Sequence, residues 1–184
     1  AASYTEENIK SSSNVARNIA FELLVAAKFA SAGLKIDFGT KADLRINLED
    51  FTVYVECKRP QSSHQINSNI KGALSQLEER YKSHDGAKNP RGIIAISLTK
   101  ILNPDQEILV ARNTESLHST TEKMLDRFHN DYKSKWFLPR DTKSIGAMIY
   151  FSVPTSVEDE NIIAHSHQID FTNCCDPKCD DMRL

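Results

Sequence analysis

The tightest constraint on this chain is a change of hydrophobic period near residue 33. Before it, Val15, Ile19, Leu23, Ala26, Ala27 and Ala30 recur as one helical stripe, and Phe21, Leu24, Val25 and Phe29 add apolar surface around the wheel. A helix this apolar is expected to be buried on more than one side. After Gly33 the period becomes two. Residues 34–38 read as a short strand. Leu44, Ile46 and Leu48 alternate with Asp43, Arg45 and Asn47, Glu49-Asp50 reads as a tight turn, and Phe51, Val53, Val55 and Cys57 alternate with Thr52, Tyr54, Glu56 and Lys58. Pro60 removes a ladder donor and ends that strand. The helical period then returns at Ile66, Ile70, Ala73, Leu74, Leu77 and Tyr81, and residues 92–98 form an apolar run suited to a buried strand.

Residues 1–13, polar with three consecutive serines, read as a loose lead-in, with Ser13 or Asn14 capping the first helix and Gly33 just past its end. Residues 83–91 form a loop, and the stretch after residue 98 is irregular. Ser119 and Glu122 make a capping box for a third helix marked by Met124, Leu125, Phe128, Tyr132 and Trp136. Residues 144–153 and 161–171 read as two further strands. The expected architecture is α/β, a mixed sheet flanked by helices, with a core order αβββαβ followed by a helix and two strands. One domain over 14–172 and a Cys-rich tail over 173–184 complete the division.

Composition bounds function mainly by exclusion. With 23 basic and 25 acidic side chains in 184 residues, the net charge of −2 offers no chain-wide basic field for passive binding of a polyanion. A site built on carboxylates remains open. No apolar run approaches the roughly 20 residues of a membrane span, so no membrane association is expected. The opening AASYTEENIK lacks the plan of a secretory signal, and a start without methionine fits a piece of a longer chain. Cys57 stands inside a strand while Cys174, Cys175 and Cys179 crowd the tail, unlike a disulfide framework, so a cytoplasmic setting is expected.

The chemistry-bearing residues cluster on the hairpin. Glu56 and Lys58, two apart on a strand, project from one face. With Asp50 paired to Phe51 across the turn, Asp43 is expected opposite Lys58, with Glu56 in diagonal reach. Two carboxylates so placed raise each other's affinity for a proton or a metal ion, and hard divalent cations prefer oxygen donors. A lysine beside them can stabilise developing phosphate charge or help deprotonate a water. Glu22 sits between Phe21 and Leu23 on the apolar helix, where a carboxylate is costly without a partner, and no cation lies one turn away.

Glu22, Asp43 and Glu56-Cys57-Lys58, in that order on helix, strand end and strand, resemble the signature of the PD-(D/E)XK nuclease superfamily, the restriction-endonuclease-like fold. The family core, αβββαβ, corresponds to residues 15–98, about half the chain. Gly39 to Asp43 looks like the family's glycine-led approach to its aspartate, and Gln76 is similar to a glutamine that some members carry on the following helix. The chain departs from the pattern in having Ala42 where the family has proline, and in a Gln76–Tyr81 spacing one residue longer than the commonest.

The resemblance implies a magnesium-dependent (manganese also serving) phosphodiesterase acting on nucleic acid, foremost a DNA endonuclease. Asp43, Glu56 and the Cys57 carbonyl would hold the ion, Glu22 would act through water or a second ion, Lys58 would position or activate the attacking water, and Gln76 would join the site. A weakened site on the same fold, binding nucleic acid or protein, is the alternative. Lys28, Lys41, Arg45, Arg59, Lys71 and Arg80 are candidate phosphate contacts, and a homodimer is compatible with the pattern. At the C-terminus, His165, His167, Cys174, Cys175 and Cys179 could furnish a tetrahedral zinc site, although their spacing matches no finger pattern. A loose reducible tail is the leading reading there, with zinc as the alternative.

Overall fold

The structure is a computed structural model describing residues 6–38, 42–83, 86–132, 135 and 143–173. The elements run α1 (Glu6–Ser31), β1 (Ile36–Asp37), β2 (Leu44–Asn47), β3 (Thr52–Lys58), α2 (Ile66–Tyr81), β4 (Arg91–Ser97), α3 (Thr99–Leu102), β5 (Leu109–Ala111), α4 (Thr114–Tyr132), β6 (Ser144–Val157) and β7 (Ile162–Asn173). The seven strands form one mixed sheet. β1, β2 and β3 pair antiparallel, whereas β3–β4 and β4–β6 are parallel. β6 carries β7 antiparallel along one edge; its other edge takes β4 at one end and β5 at the other.

Both faces of the sheet are covered. Phe21, Val25 and Ala26 of α1 pack on Leu44, Ile46, Val53, Val55, Ile93, Ala95, Met148 and Tyr150. On the opposite face, residues of α2 and α4, including Leu74, Leu77, Leu125 and Phe128, pack on Tyr54, Ile94, Ile96, Ile149 and Phe151. Gly92 permits the close approach of α2 to β4: a Cβ there would lie 2.9 Å from a Leu77 methyl and collide with the Tyr81 hydroxyl. Tyr81 instead bonds Ser144 at 3.2 Å, tying α2 to β6. No helix of the described residues is long and apolar enough to cross a membrane.

Several sequence expectations need correction. α1 begins at Glu6, so the residues expected to be a loose lead-in from there to 13 continue the helix, and Ser13 and Asn14 lie inside it rather than capping it. The stripe Val15, Ile19 and Leu23 is exposed, at 57%, 49% and 54%, because α1 rests on the sheet along one face through Phe21 and Val25. Gly33 does end the helix at φ +84°, with Leu34 N–H bonded to Phe29 O and Gly33 N–H to Ala30 O, a Schellman arrangement. The stretch after residue 98 is not irregular throughout; it holds α3 and β5. α4 begins at Thr114, and the reciprocal box is Asn113 with Ser116. Ser116 N–H donates to Asn113 Oδ1 at 2.9 Å, and Asn113 N–H to Ser116 Oγ at 3.2 Å. Ser119 and Glu122 therefore sit mid-helix. Trp136 and the tail cysteines lie outside the described residues, as do Lys41 and residues 39–40.

Candidate active site

The hairpin closes as expected around Glu49-Asp50, with Leu48 N–H bonded to Phe51 O at 2.8 Å, but its register differs. Leu44 faces Val55 and Asn47 faces Thr52, so the next rung outward sets Asp43 opposite Glu56, not Lys58. The cause is the two-residue loop: Leu48 and Phe51 flank it, whereas Asp50 and Phe51 are chain neighbours and cannot pair. A shift of two residues preserves the face of every side chain, so the gathering of charge survives.

β2 begins at Leu44, yet the ladder gains one more rung from a side chain. Cys57 N–H donates to Asp43 Oδ2 at 2.7 Å, where a backbone carbonyl of a longer strand would stand. The bond anchors the carboxylate at the sheet's end, within reach of both faces. From the α1 side come Asn18 and Glu22, one helical turn apart; from the other side comes Asn69 of α2. With Phe21, Cys57, Lys58 and Arg59 they line a polar cleft of about 270 Å³. Arg59 Nη1 donates to Asn18 Oδ1 at 3.1 Å and braces its rim.

Glu56 stands beside the cleft rather than in its lining. Only 1% of it is exposed, and its carboxylate lies between Lys58 Nζ at 3.5 Å and Arg80 Nε at 3.4 Å. The Arg80 contact is an ion pair without hydrogen-bond geometry, leaving Glu56 Oε1 and Arg80 Nε buried without a hydrogen bond among the described residues. Arg80, a candidate phosphate contact from the sequence, is a half-buried counter-ion of Glu56. Burial and then the Asp43 charge push the Glu56 carboxyl up to about 7, against the opposing pull of Lys58 and Arg80. Glu22, half-buried, is raised for the same first two reasons, with Lys58 opposing. Burial and the surrounding carboxylates also raise the Cys57 thiol, which therefore stays protonated at neutral pH.

Glu22, Asp43, Glu56 and Lys58 thus share one electrostatic neighbourhood assembled from α1, the β2 end and β3. Gln76 does not line the cleft. It is half-buried in an adjoining hollow with Ser68, Gly72 and Ser75, connected through Lys58 and Asn69, which border both. Sequence reading missed Asn18, Asn69 and the inward role of Arg80. Asn18 was legible as the residue one turn before Glu22, while the other two needed the packing of α2.

Carboxylate oxygens are the donors a hard divalent cation prefers, but those of the described residues are not gathered around one point. Asp43 has an oxygen beyond the one bonded to Cys57, and Glu56 has an oxygen without a hydrogen bond among the described residues. Glu22 and Glu56 are both raised by the charge of Asp43, repulsion that a cation would relieve. In the present conformation no three His, Cys, Asp or Glu side chains among the described residues stand close enough to hold a metal ion. Glu56 is turned to its two cations. At the other candidate site, His165 and His167 of β7 bond Ser152 and Tyr150 of β6 through Nδ1, at 2.9 and 2.6 Å. The three cysteines of that set lie outside the described residues.

Comparison with protein-family models, curated proteins and solved structures finds no match for this chain.

Proposed function

We propose that this chain is a metal-dependent phosphodiesterase of the PD-(D/E)XK type that cuts nucleic acid, DNA foremost, as an endonuclease. The observation that carries the reading is the meeting of Glu22, Asp43, Cys57 and Lys58 in one cleft, with buried Glu56 against Lys58. The element order α1-β1-β2-β3-α2-β4, antiparallel up to β3 and then parallel, supports a restriction-endonuclease-like core.

Asp43, Glu56 and the Cys57 carbonyl would hold magnesium or manganese, which when bound stabilises charge on an attacked phosphate and acidifies water. The remaining work falls to the chain itself. Lys58 lines the cleft and can position the attacking water or neutralise charge gathering on the phosphate. Glu22 faces the same space from α1 and can orient water. The Asn18 and Asn69 amides and the Arg59 guanidinium can hold phosphate oxygens in register. Gln76, one hollow away, is suited to contact substrate flanking the reacting group.

A second reading has its own observation. Glu56 is engaged by Lys58 and Arg80, and no three-ligand cluster exists among the described residues, as a catalytically weakened module binding nucleic acid would have. Incubation with supercoiled plasmid and magnesium separates the two. Nicked or linear product formed by the wild type and absent with Asp43→Asn supports the enzyme. Retention of plasmid without cleavage supports the module.

A further inference from the structure

Next to the carboxylate cleft, where Glu22 and Asp43 are balanced by Lys58 and Arg59, lies a second cleft of about 260 Å³ whose charged residues are all cationic among the described residues. It is lined by Arg17 and Arg59, by Thr99, Lys100, Asn103 and Gln106 around α3, and by Ser152, Pro154 and His165 of β6 and β7. No carboxylate of the described residues lines it. Arg59 borders both clefts, and on α1 the neighbouring residues Arg17 and Asn18 face different ones.

The side chains here are arranged with donors to spare. Neither Arg17 nor Arg59 has a carboxylate partner among the described residues, and the positive charge of Arg17 adds to burial in making the Arg59 guanidinium easier to deprotonate. Two like charges are thus held together without an anion between them. Lys100 Nζ reaches the Pro104 carbonyl, which holds the ammonium on the rim without neutralising it. Thr99 Oγ1 accepts Ser152 N–H at 3.1 Å, so its own hydrogen is available. His165 Nδ1 is taken up by Ser152 Oγ at 2.9 Å, which leaves Nε2 for the cleft. Guanidinium, ammonium, hydroxyl and imidazole donors around a concave space with no acid among the described residues make an anion receptor.

We propose that this second cleft is a subsite for a backbone phosphate of nucleic acid, next to the phosphate attacked over Asp43 and Lys58. The inference rests on the hydrolase reading for its substrate class and names what that reading leaves open: where the flanking strand runs. The backbone passes from the carboxylate cleft over Arg59 toward α3 and the β6–β7 edge. Arg59 contacts both phosphates, and Arg17 and Lys100 neutralise the distal one. A local cluster of cations explains how a chain of net charge −2 can hold a polyanion.

The test is the salt dependence of binding to a fluorescently labelled 20-base-pair duplex in calcium, for the wild type, Arg17→Ala/Lys100→Ala, and the control Lys123→Ala/Arg127→Ala on the exposed face of α4. Both doubles remove two positive charges from positions outside the core. Loss of the pair that neutralises this one phosphate should flatten the log–log salt slope by about one and weaken binding roughly tenfold near 0.1 M salt, with the control close to wild type. An unchanged slope in Arg17→Ala/Lys100→Ala overturns the subsite, as does an equal loss in the control or a wild type that does not bind the duplex. Cleavage in magnesium is scored separately on the same proteins. A wild type that binds through the subsite without cutting removes the hydrolase reading and keeps the subsite. A wild type that cuts while the slope is unchanged does the reverse.

Discussion

The candidate site has a mouth and an underside, and the same kinds of charge behave differently in the two. At the mouth, Glu22, Asp43 and Lys58 line an open cleft, and Asp43 spends one oxygen on the Cys57 amide. On the underside, Glu56 is 1% exposed and shut between Lys58 and Arg80 beside α2. A charge at the mouth can be screened by water or neutralised by a ligand, so its replacement should alter chemistry more than folding. A charge on the underside depends on its partner, so its replacement should alter folding first. Lys58 belongs to both.

The largest effect is expected on the underside. Arg80→Met removes a counter-ion of a buried carboxylate, and loss of one partner from such a pair costs about 3–5 kcal/mol. Glu56 can soften the loss by taking a proton, so the destabilisation should shrink toward acid pH. Urea unfolding at pH 8 and pH 5 checks both parts. A change within about 0.5 kcal/mol at both values, the range of an ordinary surface substitution, would erase the distinction between mouth and underside.

Nearly as large is the expected pH dependence of the metal-free protein. Glu56 in the folded state titrates at about 7, above its ordinary 4.5, so between those values the folded protein binds the extra proton. Its contribution is fully present below pH 4.5 and is lost as pH rises through 7; the loss is about 3 kcal/mol for a shift of this size. Unfolding free energies measured from pH 4.5 to 8 should therefore show a downward component that Glu56→Gln removes. The same component surviving in Glu56→Gln would assign it to another group.

At the mouth, Lys58→Ala should slow single-turnover cleavage about 100-fold or more, the scale lost with one preorganised stabilising donor. Duplex affinity in calcium should change far less, because the interaction is made mostly in the transition state. Cleavage at the wild-type rate would remove this lysine from the mechanism. The smallest effect is expected for Asp43→Asn, whose amide oxygen can still accept the Cys57 N–H while carboxylate repulsion falls. The metal-free melting temperature should hold or rise, and stabilisation by magnesium should vanish. A large drop in melting temperature would class Asp43 with the underside.

Much of the fold was legible because periodicity reports which faces are buried. The strand alternation in 44–58 and the helical spacing in 66–81 correspond to β2, β3 and α2, and Tyr54 packs beneath α2. The α1 face was misread because apolar residues ring the helix, and only packing decides which of them meet the sheet. The start of α4 was missed because Ser119-x-x-Glu122 offers a capping pattern as good as that of Asn113 and Ser116.

For the site, sequence alone determined that Glu56 and Lys58 share a face, that Asp43 stands at a strand end, and that Glu22 rides on the helix before them. Those facts follow from the two fixed periods of the backbone. Only the tertiary structure decided that Asp43 faces Glu56 and takes the Cys57 amide, that Arg80 turns inward, and that a cationic cleft adjoins the carboxylate-bearing one through Arg59. The physical reason is range. A period acts over a few residues, whereas Arg80 lies 24 positions beyond Glu56, and Lys100 and His165 lie further still from Arg17 in the chain. Burial and Coulomb energy act through space, so they are settled when the helices close on the sheet.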